Sequence, residues 1–84
     1  MKSLTLYSRP DCHLCELMLR ELEPLLQGRA EVHCIDISRD IELKRRYGLR
    51  IPVLAAGDRE ISDYPLDRAR VEHFLSGPSE PQKP

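Results

Sequence analysis

Tyr7-Ser8-Arg9-Pro10-Asp11-Cys12-His13-Leu14-Cys15 joins the end of a strand-like run to a C-x-x-C at the start of a helical one. The residues before it, Leu4 to Ser8, carry the short apolar and β-favouring pattern of a first strand. Arg9-Pro10-Asp11 is a turn, with Asp11 placed to cap a helix. From residue 12 to about residue 27 the pattern is helical. Cys15, Met18, Leu19, Leu22, Leu25 and Leu26 share one broad apolar face, and Glu16, Arg20, Glu21 and Glu23 fall outside it. Pro24 cannot bond to the Arg20 carbonyl and predicts a kink or stop near it, and Gly28 ends the segment.

A C-x-x-C at the start of a helix puts both sulfurs on one side of a single turn. The first lies beside the unpaired N–H groups of the helix N-terminus, which with the helix dipole favour a thiolate over a thiol. The thiolate is the attacking species in disulfide exchange, so Cys12 is the expected nucleophile and Cys15, deeper in the helix, the resolving thiol. Arg9 adds a fixed positive charge nearby and Asp11 a negative one. His13 reads either as a cation beside the thiolate or as an exposed helix-start residue. Zinc sites use the same cysteine spacing but need four ligands. The other candidate ligands are His33, Cys34 and His73. His33 and Cys34 are strand neighbours that point to opposite faces and do not easily converge on one ion, so no metal ligands are assigned. A pair of ordinary structural thiols is the remaining reading. Cys34, among aliphatic residues, is expected to be a small buried hydrophobe.

Working outward, Val32 to Ile37 reads as a second strand, apolar enough to have both faces covered. Ser38 is expected to cap a helix from Arg39 to Tyr47 that Gly48 ends. A third strand, Ile51 to Ala56, leads through the Gly57-Asp58 turn to a fourth, Arg59 to Ser62. Asp63 and Pro65 start a third helix with Leu66, Ala69, Val71, Phe74 and Leu75 as its apolar positions. The order is β-α-β-α-β-β-α, an α/β fold. A right-handed crossover makes the first two strands parallel, and the terminal hairpin adds antiparallel pairing. The expected product is a four-stranded mixed sheet with three helices on its two faces. Residues 1–76 form the domain, and 77–84, Pro-rich and polar, form a disordered tail.

The 84 residues suit one domain with a small core. Thirteen basic residues against fourteen acidic ones, mixed along the chain, give a net charge of −1 and no concentrated basic face for nucleic acid. The one basic cluster, Lys44-Arg45-Arg46 with Arg50 behind it, reads as a helix end complementing the macrodipole, or as an anion site. No apolar run approaches the ~20 residues that span a bilayer, and the N-terminal residues lack an apolar leader core. Three cysteines cannot all pair internally. A soluble, cytoplasmic monomer with reduced thiols is the expectation.

The chain resembles the glutaredoxin-like branch of the thioredoxin superfamily, and most of all its small bacterial members. Tyr7 to Cys15 looks like the family's strand-loop-helix, in which a Tyr-Ser-Lys/Arg stretch leads into C-x-x-C. Tyr47-Gly48-Leu49-Arg50-Ile51-Pro52-Val53-Leu54 looks like its passage from helix to strand through a cis-proline. The resemblance implies the thioredoxin fold. It also implies that Ile51 offers its N–H and C=O to an extended substrate, that Pro52 packs against the dithiol, and that Arg9 contacts a glutathione carboxylate. The chain departs from the family after strand four. Ser62-Asp63-Tyr64-Pro65 stands where glutaredoxins have Gly-Gly and a nearby Asp. It also lacks the thioredoxin Trp before the first Cys.

The implied function is a thiol-disulfide oxidoreductase or redox carrier that uses Cys12 and Cys15 to reduce protein disulfides or glutathione mixed disulfides. Arg9, His13, Ile51 and Pro52 are the expected substrate-binding residues. No tightly bound cofactor is expected, and glutathione is a candidate co-substrate. The partner is then a disulfide-containing protein or glutathione, not nucleic acid or a membrane. The alternative is a non-catalytic thiol module that binds a metal or an iron–sulfur cluster through Cys12.

Overall fold

Strand β1 (Lys2–Ser8) enters the middle of the sheet because Leu4 and Leu6 alternate with polar neighbours and are almost fully buried. The computed structural model of the chain describes residues 2–77. Helix α1 (His13–Leu26) follows, then β2 (Ala30–Asp36), a 3₁₀ turn at Ile37–Arg39, α2 (Ile41–Tyr47), β3 (Val53–Ala56), β4 (Arg59–Asp63) and α3 (Arg68–Ser76). The strands lie in the order β2-β1-β3-β4. β1 pairs β2 in parallel, with Leu6 opposite Cys34, and pairs β3 antiparallel, with Tyr7 opposite Val53. β3 and β4 form an antiparallel hairpin whose turn places Gly57 at φ +61°. This is the α/β mixed sheet with three α-helices that the sequence implies.

The two faces of the sheet bury separate clusters. Leu4, Leu6, Leu54 and Ile61 pack against Met18, Leu22 and Leu26 of α1 and Val71 of α3. On the other face Val53 packs with Ile37 and Tyr47, joined by Tyr7, Leu43 and Ile51. α3 is tied down at its end by Lys2. The ammonium donates to the carbonyls of Phe74 at 2.5 Å, Leu75 at 3.1 Å and Gly77 at 2.6 Å. It thereby satisfies acceptors that the helix leaves unpaired, with the charge sign the C-terminus favours.

Several local expectations are corrected. α1 runs through Pro24 to Leu26. Pro24 is exposed, near the helix end, while Leu22 and Leu26 hold the buried face. The helix caps are Asp40 and Asp67, not Ser38 and Asp63. The Asp40 carboxylate accepts from Leu43 N–H, and the Asp67 carboxylate from Arg70 N–H, each at 3.1 Å. α3 therefore starts later than Asp63 suggests. The intervening loop is tied by Ser62, whose hydroxyl donates to the Asp63 carbonyl and accepts from Asp67 N–H. β2 is not covered on both faces. It is an edge strand with His33, Cys34 and Ile35 exposed, because only β1 flanks it. Cys34 is thus an exposed thiol, not a buried hydrophobe. Of the expected 77–84 tail, Gly77 lies in the α3 cap, its N–H donating to the His73 carbonyl. Residues 78–84 lie outside the described residues.

The burial pattern makes a stability prediction. Leu22→Ala, at a position with no exposed surface, should cost about 2–5 kcal/mol by urea unfolding. Leu49→Ala, at a fully exposed position, should change stability by no more than about 0.5 kcal/mol. Equal effects at the two sites would contradict this core.

Candidate functional site

β1 delivers the chain to the dithiol, and β3 starts beside it. Because Tyr7 pairs with Val53, the loop leaving β1 (9–12) and the loop entering β3 (48–52) emerge from the same end of the sheet. Asp63 also pairs with Val53, so the end of β4 reaches that end too. Arg9 and His13 lie on the first loop and its helix start, both exposed, and Ile51 and Pro52 lie on the second, partly buried and buried. The Ile51-Pro52 peptide bond is cis, as is Tyr64-Pro65.

The turn into α1 places the cysteines differently from each other. Cys12 is the N-cap, with extended backbone at φ −98°, and its sulfur accepts the Cys15 N–H at 3.2 Å. The cap is therefore Cys12 itself, not Asp11. Asp11 instead takes the left-handed conformation at φ +61° that lets the chain turn into the helix. Asp tolerates that region better than most residues, which gives the residue before Cys12 a backbone role. Cys12 is half-buried, and Cys15 is only 5% exposed under the first turn. The two form a disulfide with Cα atoms 5.2 Å apart.

The second loop is held from below and behind. Tyr47 ends α2 and stacks on Tyr7, ring centroids 4.3 Å apart and planes at 19°. Burial, with Tyr47 next to it, pushes the Tyr7 hydroxyl pKa up, so Tyr7 stays neutral in the ordinary pH range. Arg46 and Arg50 each sit 5.9 Å from the Tyr47 ring. Arg50 also makes a two-pronged ion pair with Glu60 of β4. That hydrogen bonding holds the Glu60 carboxyl below its usual range and raises Arg50. The clamp ties the loop before Pro52 to the far strand. One expected feature is corrected here. The Ile51 N–H donates to the Tyr47 carbonyl at 3.0 Å, so it is not free for a substrate. The chain leaves α2 by extra turns of backbone bonding that use up the helix's last acceptors, including Arg50 N–H to Tyr47.

Sequence reasoning missed the Tyr7–Tyr47 stack and the Arg50–Glu60 clamp. No spacing rule marks either, since Tyr7 meets Tyr47 only when α2 packs on the sheet, and Arg50 meets Glu60 only when β3 pairs with β4. Cys34 stands apart from the dithiol on β2. Its register opposite Leu6 puts it on the α1 side, where partial desolvation of the otherwise exposed residue, with Glu23 nearby, raises its thiol pKa. His33 pairs with Glu31 at 2.9 Å instead of facing a metal. Among the described residues no three His, Cys, Asp or Glu side chains gather to hold an ion.

Comparison with known proteins bears on the same region. A family model described as a glutaredoxin-like domain (DUF836) matches residues 3–76. The chain is similar to the X-ray structure of target protein XcR50 from X. campestris, with 39% identity over 89% of this chain and 99% of that one and a TM-score of 0.66. It is equally similar to the solution structure of XcR50, with 38% identity over 92% and 97% and a TM-score of 0.67. A structure titled as a malarial protein shares the fold, with 12% identity, 87% and 91% coverage and a TM-score of 0.57. No curated protein matches the chain.

The geometry orders the thiols by reactivity. In the reduced protein at neutral pH, iodoacetamide should label Cys12 first, Cys34 next and Cys15 last, read by peptide mass spectrometry. Cys12 combines access with a helix N-terminus, whereas Cys34 is accessible but has its thiol pKa raised. Cys34 labelling should therefore climb only as pH rises past the ordinary thiol range. Labelling of Cys15 or Cys34 ahead of Cys12 would reverse the assignment.

Proposed function

The chain belongs to the glutaredoxin-like domain family, and from that premise we propose that it is a thiol-disulfide oxidoreductase working through Cys12 and Cys15. One observation carries the reading. The two sulfurs share a helical turn, but only Cys12 reaches solvent, while Cys15 is buried behind it. Exchange needs that asymmetry, with one thiolate open to attack and a second held within reach to finish.

In the reduced protein the Cys12 thiolate attacks one sulfur of a substrate disulfide. A Cys12–substrate bond forms, the substrate S–S bond breaks, and the departing sulfur leaves as a thiolate that takes a proton from water. Cys15 then gives up its proton and attacks the Cys12 sulfur. The Cys12–Cys15 disulfide forms and the substrate leaves with its second thiol. Two electrons pass from the dithiol to the substrate, and an external thiol or dithiol reductant must return them. The Cys15 N–H at the Cys12 sulfur and the α1 dipole favour the attacking anion. Arg9 and His13 would sit on the substrate side, and the Ile51 carbonyl and Pro52 would form the opposite wall. The protein would work as a monomer in the cytoplasm, with no tightly bound cofactor.

Cys15→Ser should accumulate a mixed disulfide between Cys12 and an offered disulfide, seen as an intact-mass increase that dithiothreitol reverses. With Cys34, the exposed thiol, also replaced by serine in both proteins, Cys12→Ser should form none. Adduct formation on the Cys12→Ser protein but not on the Cys15→Ser protein in that background would overturn the mechanism. Iron bound through Cys12 after anaerobic purification would favour the cluster-binding alternative instead.

A further inference from the structure

We propose that the cleft between β4 and α3 is a second binding site, separate from the dithiol and independent of the oxidoreductase reading, that takes a small carboxylic acid with an apolar body. The cleft has a volume of about 320 Å³, at the small end of the range for sites that hold organic molecules. Ile61, Ala69 and Phe74 give it apolar surface. Ile61 is the unpaired residue of a β-bulge, since Ser62 pairs with Leu54 and Glu60 with Ala55. Bulges re-aim a strand and recur beside binding sites. The register also sets the cleft apart from the sulfurs. Asp63 ends β4 at the dithiol end of the sheet, and Arg59, which lines the cleft, starts it at the other.

Each wall supplies a guanidinium that no carboxylate occupies. From β4, the Arg59 guanidinium lies 5.9 Å from the centre of the Phe74 ring. From α3, Arg70 Nη2 donates to the Glu60 carbonyl at 3.3 Å, which holds it against β4. Two neighbouring acids are engaged elsewhere, Glu60 with Arg50 and Glu72 with Arg29. Asp58, on the turn before Arg59, does not line the cleft. Among the described residues neither Arg59 nor Arg70 has an ion-pair partner. Asp67 is the one carboxylate in the lining. It is turned to the α3 cap, where it accepts the Arg70 N–H at 3.1 Å. Two guanidiniums against one carboxylate leave a single positive charge, the complement of one carboxylate on a ligand. His73 adds a ring nitrogen that can hydrogen-bond the same group. The apolar body of the ligand rests on Ile61 and Phe74 and removes them from water. The larger hollow of about 530 Å³ between α1 and β2 has no such bias, since its charged lining is Arg20 and Glu23.

The test uses the full chain and follows its backbone amide shifts by NMR as benzoate, benzamide or acetate is added. Benzoate should give saturable shifts confined to residues 59–61 and 67–74. Benzamide keeps the ring without the charge, and acetate keeps the charge without the ring. Each should bind about tenfold more weakly than benzoate, the weight of a charge-assisted hydrogen bond or of a partly buried ring. Arg59→Gln should weaken benzoate about fivefold, as expected of one exposed ion pair. Arg59 is exposed, so the fold stays in place, which unchanged amide shifts away from the cleft verify. Acetate binding as tightly as benzoate would reduce the cleft to surface ion pairing and overturn the proposal. So would benzamide binding as tightly as benzoate, no saturable response to benzoate, shifts centred on residues 9–15, or an affinity unchanged in Arg59→Gln.

Discussion

Strand β1 is hydrogen-bonded along both edges, in parallel to β2 and antiparallel to β3, and it ends four residues before Cys12. That double pairing is the constraint on which the site depends. It fixes where the chain leaves the sheet, and so where the N-terminus of α1 must start. It also brings the entry of β3, with Ile51 and Pro52, to the same end. Neither loop needs to find the other, because the register of Tyr7 against Val53 has already placed them side by side. The buried side chains of Leu4 and Leu6 lock this register, since a slip of one residue would turn both out of the core.

The dithiol inherits its asymmetry from the helix that carries it. Cys12 stands at the cap, where N–H groups lack helical acceptors, and Cys15 stands under the first turn against the core. The same backbone rule works against substrate binding at the second loop. There the residues after α2 use their N–H groups to satisfy the helix's last carbonyls, and the Ile51 N–H is consumed. One helix end is therefore left electrostatically open at the sulfur, while the other is closed internally. Glu60 closes it further by neutralising Arg50.

The framework was legible in the sequence because it rests on local signals. The apolar alternation of β1, the helical face from Cys15 to Leu26, and the Gly57 turn each follow from residue pattern, and together they give the element order. The cysteine positions in that order were enough to separate Cys12 from Cys15. What escaped the sequence lies in long-range placement. Cys34 reads as buried because its neighbours are aliphatic, but its strand ended at the sheet edge with one neighbour. Asp40 and Asp67 outcompeted Ser38 and Asp63 as caps because the helices start later than their turn residues suggest. The Arg50–Glu60 clamp spans two strands and a turn, and no spacing rule joins those positions. The resemblance supplied the second loop, but the commitment of the Ile51 N–H is visible only in the backbone itself.

In the proposed function Cys12 and Cys15 form one reversible two-electron couple in which Cys34 takes no part. Equilibration of the protein across a series of glutathione redox buffers, followed by acid quenching and thiol counting by mass, measures this directly. The expected result is a single two-electron transition between dithiol and disulfide, confined to the peptide carrying Cys12 and Cys15, with the same midpoint in Cys34→Ser. Cysteines that stay reduced across the whole series, or a transition that disappears in Cys34→Ser, would contradict it.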